Sequence, residues 1–237
     1  MKIVKYIFVI IVAINFHLFS NDEDFRFQKI KSEHGLSQGT ILSILQDSKG
    51  FMWFGTQDGL HRYDGYSFTI FRNIPFDKST ISNNYISALL EDKNGDIWIA
   101  TLDGLYKYSY KTSSFTIYRN DTKNPFSISA NIITSLVEEK NGDLWIGTQE
   151  GGLNKFITSQ NKFIRYTKNS SSNAIPSNYI RALYIDKDET LWIGTDNDGF
   201  AYLEKGRNHF VSYRMQKNNP NSLTGNKIFK ITGDKGG

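Results

Sequence analysis

The chain has 237 residues, no cysteine, four tryptophans, thirteen tyrosines and seventeen phenylalanines. An aromatic share of 14% is too high for a disordered chain, and the lack of cysteine excludes a disulfide scaffold, a thiolate metal site and a thiol nucleophile. The net charge is +4, but with Lys2 and Lys5 set aside only 26 basic face 24 acidic residues, so the charge gives no reason to expect nucleic acid as a partner.

Residues 1–20 read as an export signal. Lys2 and Lys5 precede an apolar run from Tyr6 to Phe16, and the acidic stretch Asp22-Glu23-Asp24 follows. Ser20 suits a cleavage site, whereas Leu18 does not. The alternative is an uncleaved anchor, although the apolar run falls short of the ~20 residues that span a bilayer comfortably. The next segment, residues 21–35, holds the orphan strand Phe25-Arg26-Phe27-Gln28-Lys29-Ile30. It has the pattern of the last strand of the units described below, and is expected to close a sheet by adding an edge strand to a later unit.

From there on, one unit repeats. Trp53, Trp98, Trp145 and Trp192 are spaced by 45, 47 and 47 residues. Each Trp opens a short motif that ends in Thr56, Thr101, Thr148 or Thr195. Twelve residues before each Trp is Ile41, Ile86, Ile133 or Ile180, and ten before is a small residue, Ser43, Ala88, Ser135 or Ala182. An acid stands six before: Asp47, Asp92, Glu139 or Asp186. Gly50, Gly95 and Gly142 stand three before, with Glu189 departing in the last unit. Leu60, Leu105, Leu153 and Phe200 each follow a glycine, and Phe68, Phe115, Phe163 and Phe210 open a final segment.

Each unit predicts four short strands. In the second unit these are Ile86 to Leu90, Ile97 to Thr101, Leu105 to Tyr108 and Phe115 to Tyr118. The first pair is joined through an Asn-Gly turn whose two central residues are expected at positive φ. Four antiparallel strands every ~47 residues define an all-β chain, a β-propeller of four-stranded antiparallel blades. The units fall at 36–80, 81–127, 128–174 and 175–222. Residues 223–237 start a fifth, because Leu223 to Ile228 repeats Ile175 to Ile180. This reading expects a seven-bladed parent, and an unclosed set of blades is expected to be marginally stable. The Trp and Thr positions are expected to form the repeat core, with each Trp wedged between blades.

Among propeller families, Trp-Asp blades, kelch blades and Asp-box blades all lack support in the motif. The pattern acid-x-x-Gly-x-Leu/Ile-Trp-Ile-Gly-Thr followed by Asp-Gly-Leu-x-x-Tyr resembles the two-component regulator propeller repeat, most clearly over Asp47–Tyr63, Asp92–Tyr108 and Glu139–Phe156. The resemblance covers roughly residues 25–237. It implies the periplasmic sensor half of a hybrid two-component histidine kinase, of the kind that controls polysaccharide use. The membrane span and cytoplasmic kinase of such a protein are not in this chain.

No catalytic, metal or cofactor motif stands out. His34, His61 and His209 fall at unrelated repeat positions, and Asp196-Asn197-Asp198-Gly199 fits a turn better than a calcium loop. The repeated acids are expected to cap their own turns. Arg72, Arg119 and Arg214 read as solvated strand ends or, less favourably, an anion site; Thr167 breaks the series. The turns between the second and third strands vary against a constant frame. Gln57, Asp58, Asp103, Gln149, Glu150, Asp196 and Asn197 are therefore the candidate ligand contacts. Expected partners are an oligosaccharide, the remaining blades and downstream sensor and kinase domains, and a second copy of the full-length protein, which is expected to be anchored in the inner membrane. The alternatives are an exported glycoside hydrolase or lyase and a surface-binding propeller without signalling.

Overall fold

The computed structural model describes residues 35–234 except 38, 78 and 170–172. The signal segment and the orphan strand therefore lie outside the described residues. Among the described residues sixteen strands form four separate sheets. Sheet 1 holds β1 (Ile41–Gln46), β2 (Met52–Thr56), β3 (Leu60–Tyr63) and β4 (Phe68–Phe71). Sheet 2 holds β5 (Ile86–Glu91), β6 (Ile97–Thr101), β7 (Gly104–Ser109) and β8 (Ser114–Tyr118). Sheet 3 holds β9 (Ile133–Glu138), β10 (Leu144–Thr148), β11 (Leu153–Ile157) and β12 (Lys162–Tyr166), with one 3-10 turn at Thr158–Gln160. Sheet 4 holds β13 (Ile180–Ile185), β14 (Leu191–Thr195), β15 (Phe200–Leu203) and β16 (Val211–Tyr213). Each sheet is an antiparallel meander in chain order, the build of a β-propeller blade.

The sheets are held together by three apolar interfaces, one between each consecutive pair. Trp53, Leu60, Ile81 and Ile86 meet Ile97, Ile99, Tyr106 and Tyr108 at the first. Trp98, Leu105, Ile128 and Ile133 meet Leu144, Ile146, Phe156 and Phe163 at the second. Trp145, Leu153, Ile175 and Ile180 meet Leu191, Ile193 and Ala201 at the third. Trp53, Trp98 and Trp145 thus face the next sheet. Trp192 has no complete next sheet among the described residues, and it stays half-buried. On the opposite face of sheet 1, Ile44 is 60% exposed, whereas its counterparts Leu89, Leu136 and Leu183 pack in the three interfaces.

The small residues of the repeat are explained by this stacking. Ser43 pairs with Gly55, Ala88 with Ala100, Ser135 with Gly147 and Ala182 with Gly194. A Cβ on Gly147 would lie 2.3 Å from Ser135 Oγ and 2.8 Å from Ile180 Cγ2 of the next sheet. Ile228, from the start of a fifth unit, sits over Gly194 in the same way, and its N–H donates to the Thr195 carbonyl at 2.9 Å.

The turn between the first two strands differs from the expectation of two positive φ values. Gly95 N–H donates to the Asp92 carbonyl and Asp92 N–H to the Asp96 carbonyl. Only Gly95, at φ 79°, is left-handed. This is a type I turn followed by one left-handed residue, a three-residue hairpin loop rather than the two-residue Asn-Gly form. The reason is the acid: its Oδ1 accepts the N–H groups of Asn94 and Asp96, which fixes the tighter first turn. Glu189 takes the left-handed position of the fourth unit at φ 63° without a glycine.

Candidate functional site

The meander places the turn between the second and third strands of each sheet at the same end as the chain's passage to the next sheet. Thr56, Thr101, Thr148 and Thr195 are fully buried and build these turns. Each hydroxyl donates to the carbonyl of Gly59, Gly104, Gly152 or Gly199 at 2.7–2.9 Å. The following sheet locks the turn. The N–H of each of these four glycines donates at 2.8 Å to the carbonyl of Asn84, Asn131, Asn178 or Asn226. The same asparagines accept, through Oδ1, the backbone N–H of Asn73, Asn120, Lys168 or Met215 just past the preceding sheet. These asparagines are a repeat feature that the sequence reading passed over. Their signal is an Asn two residues before each Ile of the inner strand from Ile86 onward.

The candidate ligand contacts sit on this frame in different states. Gln57 and Glu150 are exposed, and Glu150 has φ 70°. Asp58 is held by Arg72 at 2.6 Å, and Asp103 by Arg119 at 2.6 Å and by Ser82 Oγ at 2.8 Å. Gln149 donates its backbone N–H to Ile132. Asp196 pairs with Arg181 and with Lys227 at 3.3 Å, and Asn197 donates to it at 2.7 Å. Arg181 holds the Asp196 carboxyl below the usual carboxylate range, against the opposing effect of burial.

The arginines at the strand ends are not free for an anion. Arg72, Arg119 and Arg214 each hold the turn carboxylate of their own sheet: Asp58, Asp103 and Asp198. Asp198, not Asp196, is thus the fourth counterpart of Asp58. Arg181 was also missed. It replaces Leu42, Ser87 and Thr134 at the second position of the inner strand, and its guanidinium lies over the rings of Tyr179 and Phe229 at 5.0 and 5.2 Å. Together Arg181, Asp196, Asn197, Lys227, Tyr179 and Phe229 form a polar and aromatic cluster at the turn end of sheet 4.

The repeated acids act at the other end. Asp47, Asp92 and Asp186 accept the indole N–H of Trp53, Trp98 and Trp192 at 2.8 Å, and Glu139 accepts that of Trp145 at 2.6 Å. Asp47 also takes the Lys49 and Phe51 N–H groups and the Tyr110 hydroxyl. Burial pushes its pKa up, but these hydrogen bonds outweigh burial and hold it below the usual range. Burial and the Asp47 carboxylate push the Tyr110 phenol well above its ordinary range. Each of these four acids thus bonds the indole of its own sheet. Among the described residues no group of three or more acids and histidines is placed to hold a metal ion. No described helix is long and apolar enough to cross a membrane.

The architecture is that of β-propeller blades, and the motif that builds them can be matched. Residues 35–58, 80–103, 127–150 and 174–197 match the family described as Two component regulator propeller, so the chain carries four such repeats in register. The extracellular domain of a hybrid two component system from B. thetaiotaomicron is 31% identical, with a TM-score of 0.73 over 78% of this chain and 26% of that one. A second such domain from the same organism is 24% identical, with a TM-score of 0.65 over 79% of this chain and 27% of that one; at this identity the likeness shows the fold alone. Histidine kinase P4 of Formosa agariphila is 41% identical over 63 residues, which are 27% of this chain and 5% of that protein. The chain therefore spans about a quarter of the solved domains and a small part of the kinase.

Proposed function

We propose that this chain is part of the exported, periplasmic input module of a membrane-anchored hybrid two-component sensor kinase, and that it works by binding rather than by catalysis. The observation that carries this reading is the set of four repeats in register on one frame, joined to 31% identity with the extracellular domain of a hybrid two component system. Residues 1–20 supply the export signal in this reading, and the kinase and phosphorelay domains belong to further sequence. The ligand is an oligosaccharide, bound at the turn end of the sheets. Arg181 and Asn197 offer donors, Asp196 an acceptor, and Tyr179 and Phe229 apolar faces, the mixture that a hydroxylated ring requires.

Two measurements test this. A fusion of residues 1–40 to a reporter active only outside the cytoplasm is expected to give reporter activity; an inactive, expressed fusion contradicts export. For the ligand, an isotope-labelled chain is titrated with a panel of plant and algal oligosaccharides. The expected result is a saturable shift confined to amides near Asn197, Gln149 and Arg181. Binding by no member of the panel, or shifts confined to the opposite turns, overturns the glycan reading.

A further inference from the structure

At the end opposite those turns, where the first strand of each sheet joins the second and the third joins the fourth, the repeats diverge. At the first interface Ser48 N–H donates to Glu91, at the end of β5, at 2.8 Å. At the second, Lys93 N–H donates to Glu138, at the end of β9, at 3.0 Å, and the Lys93 ammonium reaches the Asn141 carbonyl. At the third, the position of Glu91 and Glu138 is taken by Ile185, which offers the Lys140 N–H no carboxylate. A second filler is lost as well. Tyr110 closes the first interface by lying edge-on to Trp53 at 6.3 Å and donating to Asp47. Its counterparts are Thr158 in sheet 3 and Lys205 in sheet 4.

The two replacements coincide with a cavity of about 570 Å³ between sheets 3 and 4. Ile185, Leu191, Leu203 and the rings of Trp145 and Tyr166 wall it. The groove over the first interface is nearly as large, about 510 Å³, but its lining is polar apart from Tyr110, and Trp53 does not reach it.

The rim of the third cavity is built around one carboxylate. Lys140 and Lys205 both donate to Glu189 Oε1, at 3.0 and 2.8 Å. Glu189 holds its left-handed backbone where the other three units have glycine. Lys155 is matched by Glu139 at 2.8 Å, and Arg207 stands 3.5 Å from Glu204. At this rim two ammonium groups, Lys140 and Lys205, thus share the one carboxylate of Glu189, whereas Lys155 is met by Glu139 and, at 3.9 Å, by Asp143.

We propose that this cavity binds a ring-sized organic monocarboxylate, its carboxylate received by Lys140, Lys205 and Arg207 and its ring face laid on Ile185, Leu191 and Leu203. The volume suits one ring with its substituents, and charge-assisted hydrogen bonds to ammonium and guanidinium groups favour the ionised acid. The site lies at the opposite end of the sheets from the proposed oligosaccharide contacts, so the two are separately measurable.

The test uses the 237-residue chain labelled with 5-fluorotryptophan, whose four fluorine signals are assigned by single Trp→Phe variants. Glucuronate and benzoate serve as the probes, to separate a sugar acid from an aromatic acid, and glucose is the neutral control. The expected result is a saturable shift of the Trp145 signal alone, with at least one acid and not with glucose. Lys205→Tyr, on an exposed turn, is expected to weaken binding at least about tenfold by refilling the cavity. Ile185→Glu is expected to do the same by restoring the clasp to Lys140. The proposal is overturned if neither acid moves the Trp145 signal, if glucose moves it equally, or if a folded Lys205→Tyr or Ile185→Glu chain binds as tightly as the parent.

Discussion

The first and third interfaces are built from the same repeat and finished differently. At the first, Trp53 is enclosed by the rings of Phe71, Tyr108 and Tyr110, and Asp47 collects hydrogen bonds from Trp53, Tyr110 and two backbone amides. At the third, Trp145 keeps Tyr166 as its ring partner, Lys155 lies over its face at 5.1 Å, and Glu139 is neutralised by that lysine instead of capping its turn through side-chain contacts. The Trp, the small pair and the inner Ile recur in every sheet. What fills the space above the Trp varies: at the first interface the Tyr110 ring separates Trp53 from the groove, and at the third Trp145 itself walls the cavity.

The largest expected effect separates the two directly. Trp53→Ala should cost about 4–5 kcal/mol and Trp145→Ala about 3 kcal/mol, because the second Trp already borders a cavity. Chemical denaturation of both variants measures this; equal losses would erase the distinction. Next, Gly147→Ala should cost about 2 kcal/mol by overpacking against Ser135 and Ile180. Adding Ser135→Ala should recover part of that loss, since Ala88 and Ala100 coexist at the equivalent pair. A double variant no more stable than the single would show that the inner Ile, not the cross-strand partner, sets the limit.

The acid response should differ between the interfaces. The Asp47 carboxyl is depressed in the folded chain, so its contribution is present above the unfolded carboxylate pKa of about 4 and is lost as pH falls through the folded value. Tyr110→Phe removes one of the stabilising donors and should move the onset of acid unfolding to higher pH. An unchanged onset in a pH series of thermal melts would remove Tyr110 from the account. A smaller effect is expected at the open rim, where Glu189→Gly should raise the melting temperature slightly by relieving the left-handed backbone. A fall would mean that the tie to Lys140 and Lys205 outweighs the strain. Arg72→Ala should change stability least, by under about 1 kcal/mol, because its pair with Asp58 is solvent-exposed; a larger loss in the same denaturation experiment would make this a structural clasp.

Much of this was legible in the residues themselves. Strand positions follow from the Trp spacing: the second unit's strands fall within a residue of Ile86–Glu91, Ile97–Thr101, Gly104–Ser109 and Ser114–Tyr118. The use of Asp47, Asp92 and Asp186 as turn caps follows from their fixed distance to the glycine position. Their second bond, to the indole N–H, does not, because it depends on the Trp ring folding back over the turn. The candidate ligand turns are visible as variation on a constant frame. That Asp58, Asp103 and Asp196 already hold cations is not visible, because Arg72, Arg119 and Arg181 come to them from other strands.

The sequence alone determined that this is one antiparallel unit repeated, since a period of about 47 residues with one Trp each can bury its faces only by stacking on copies of itself. Only the tertiary structure decided which copies fit closely. A Tyr or a Lys five residues past the third-strand leucine position looks like ordinary surface variation in the chain. Across the interface, that difference separates an aromatic plug from an open cavity, because the group it must fill against belongs to the neighbouring sheet.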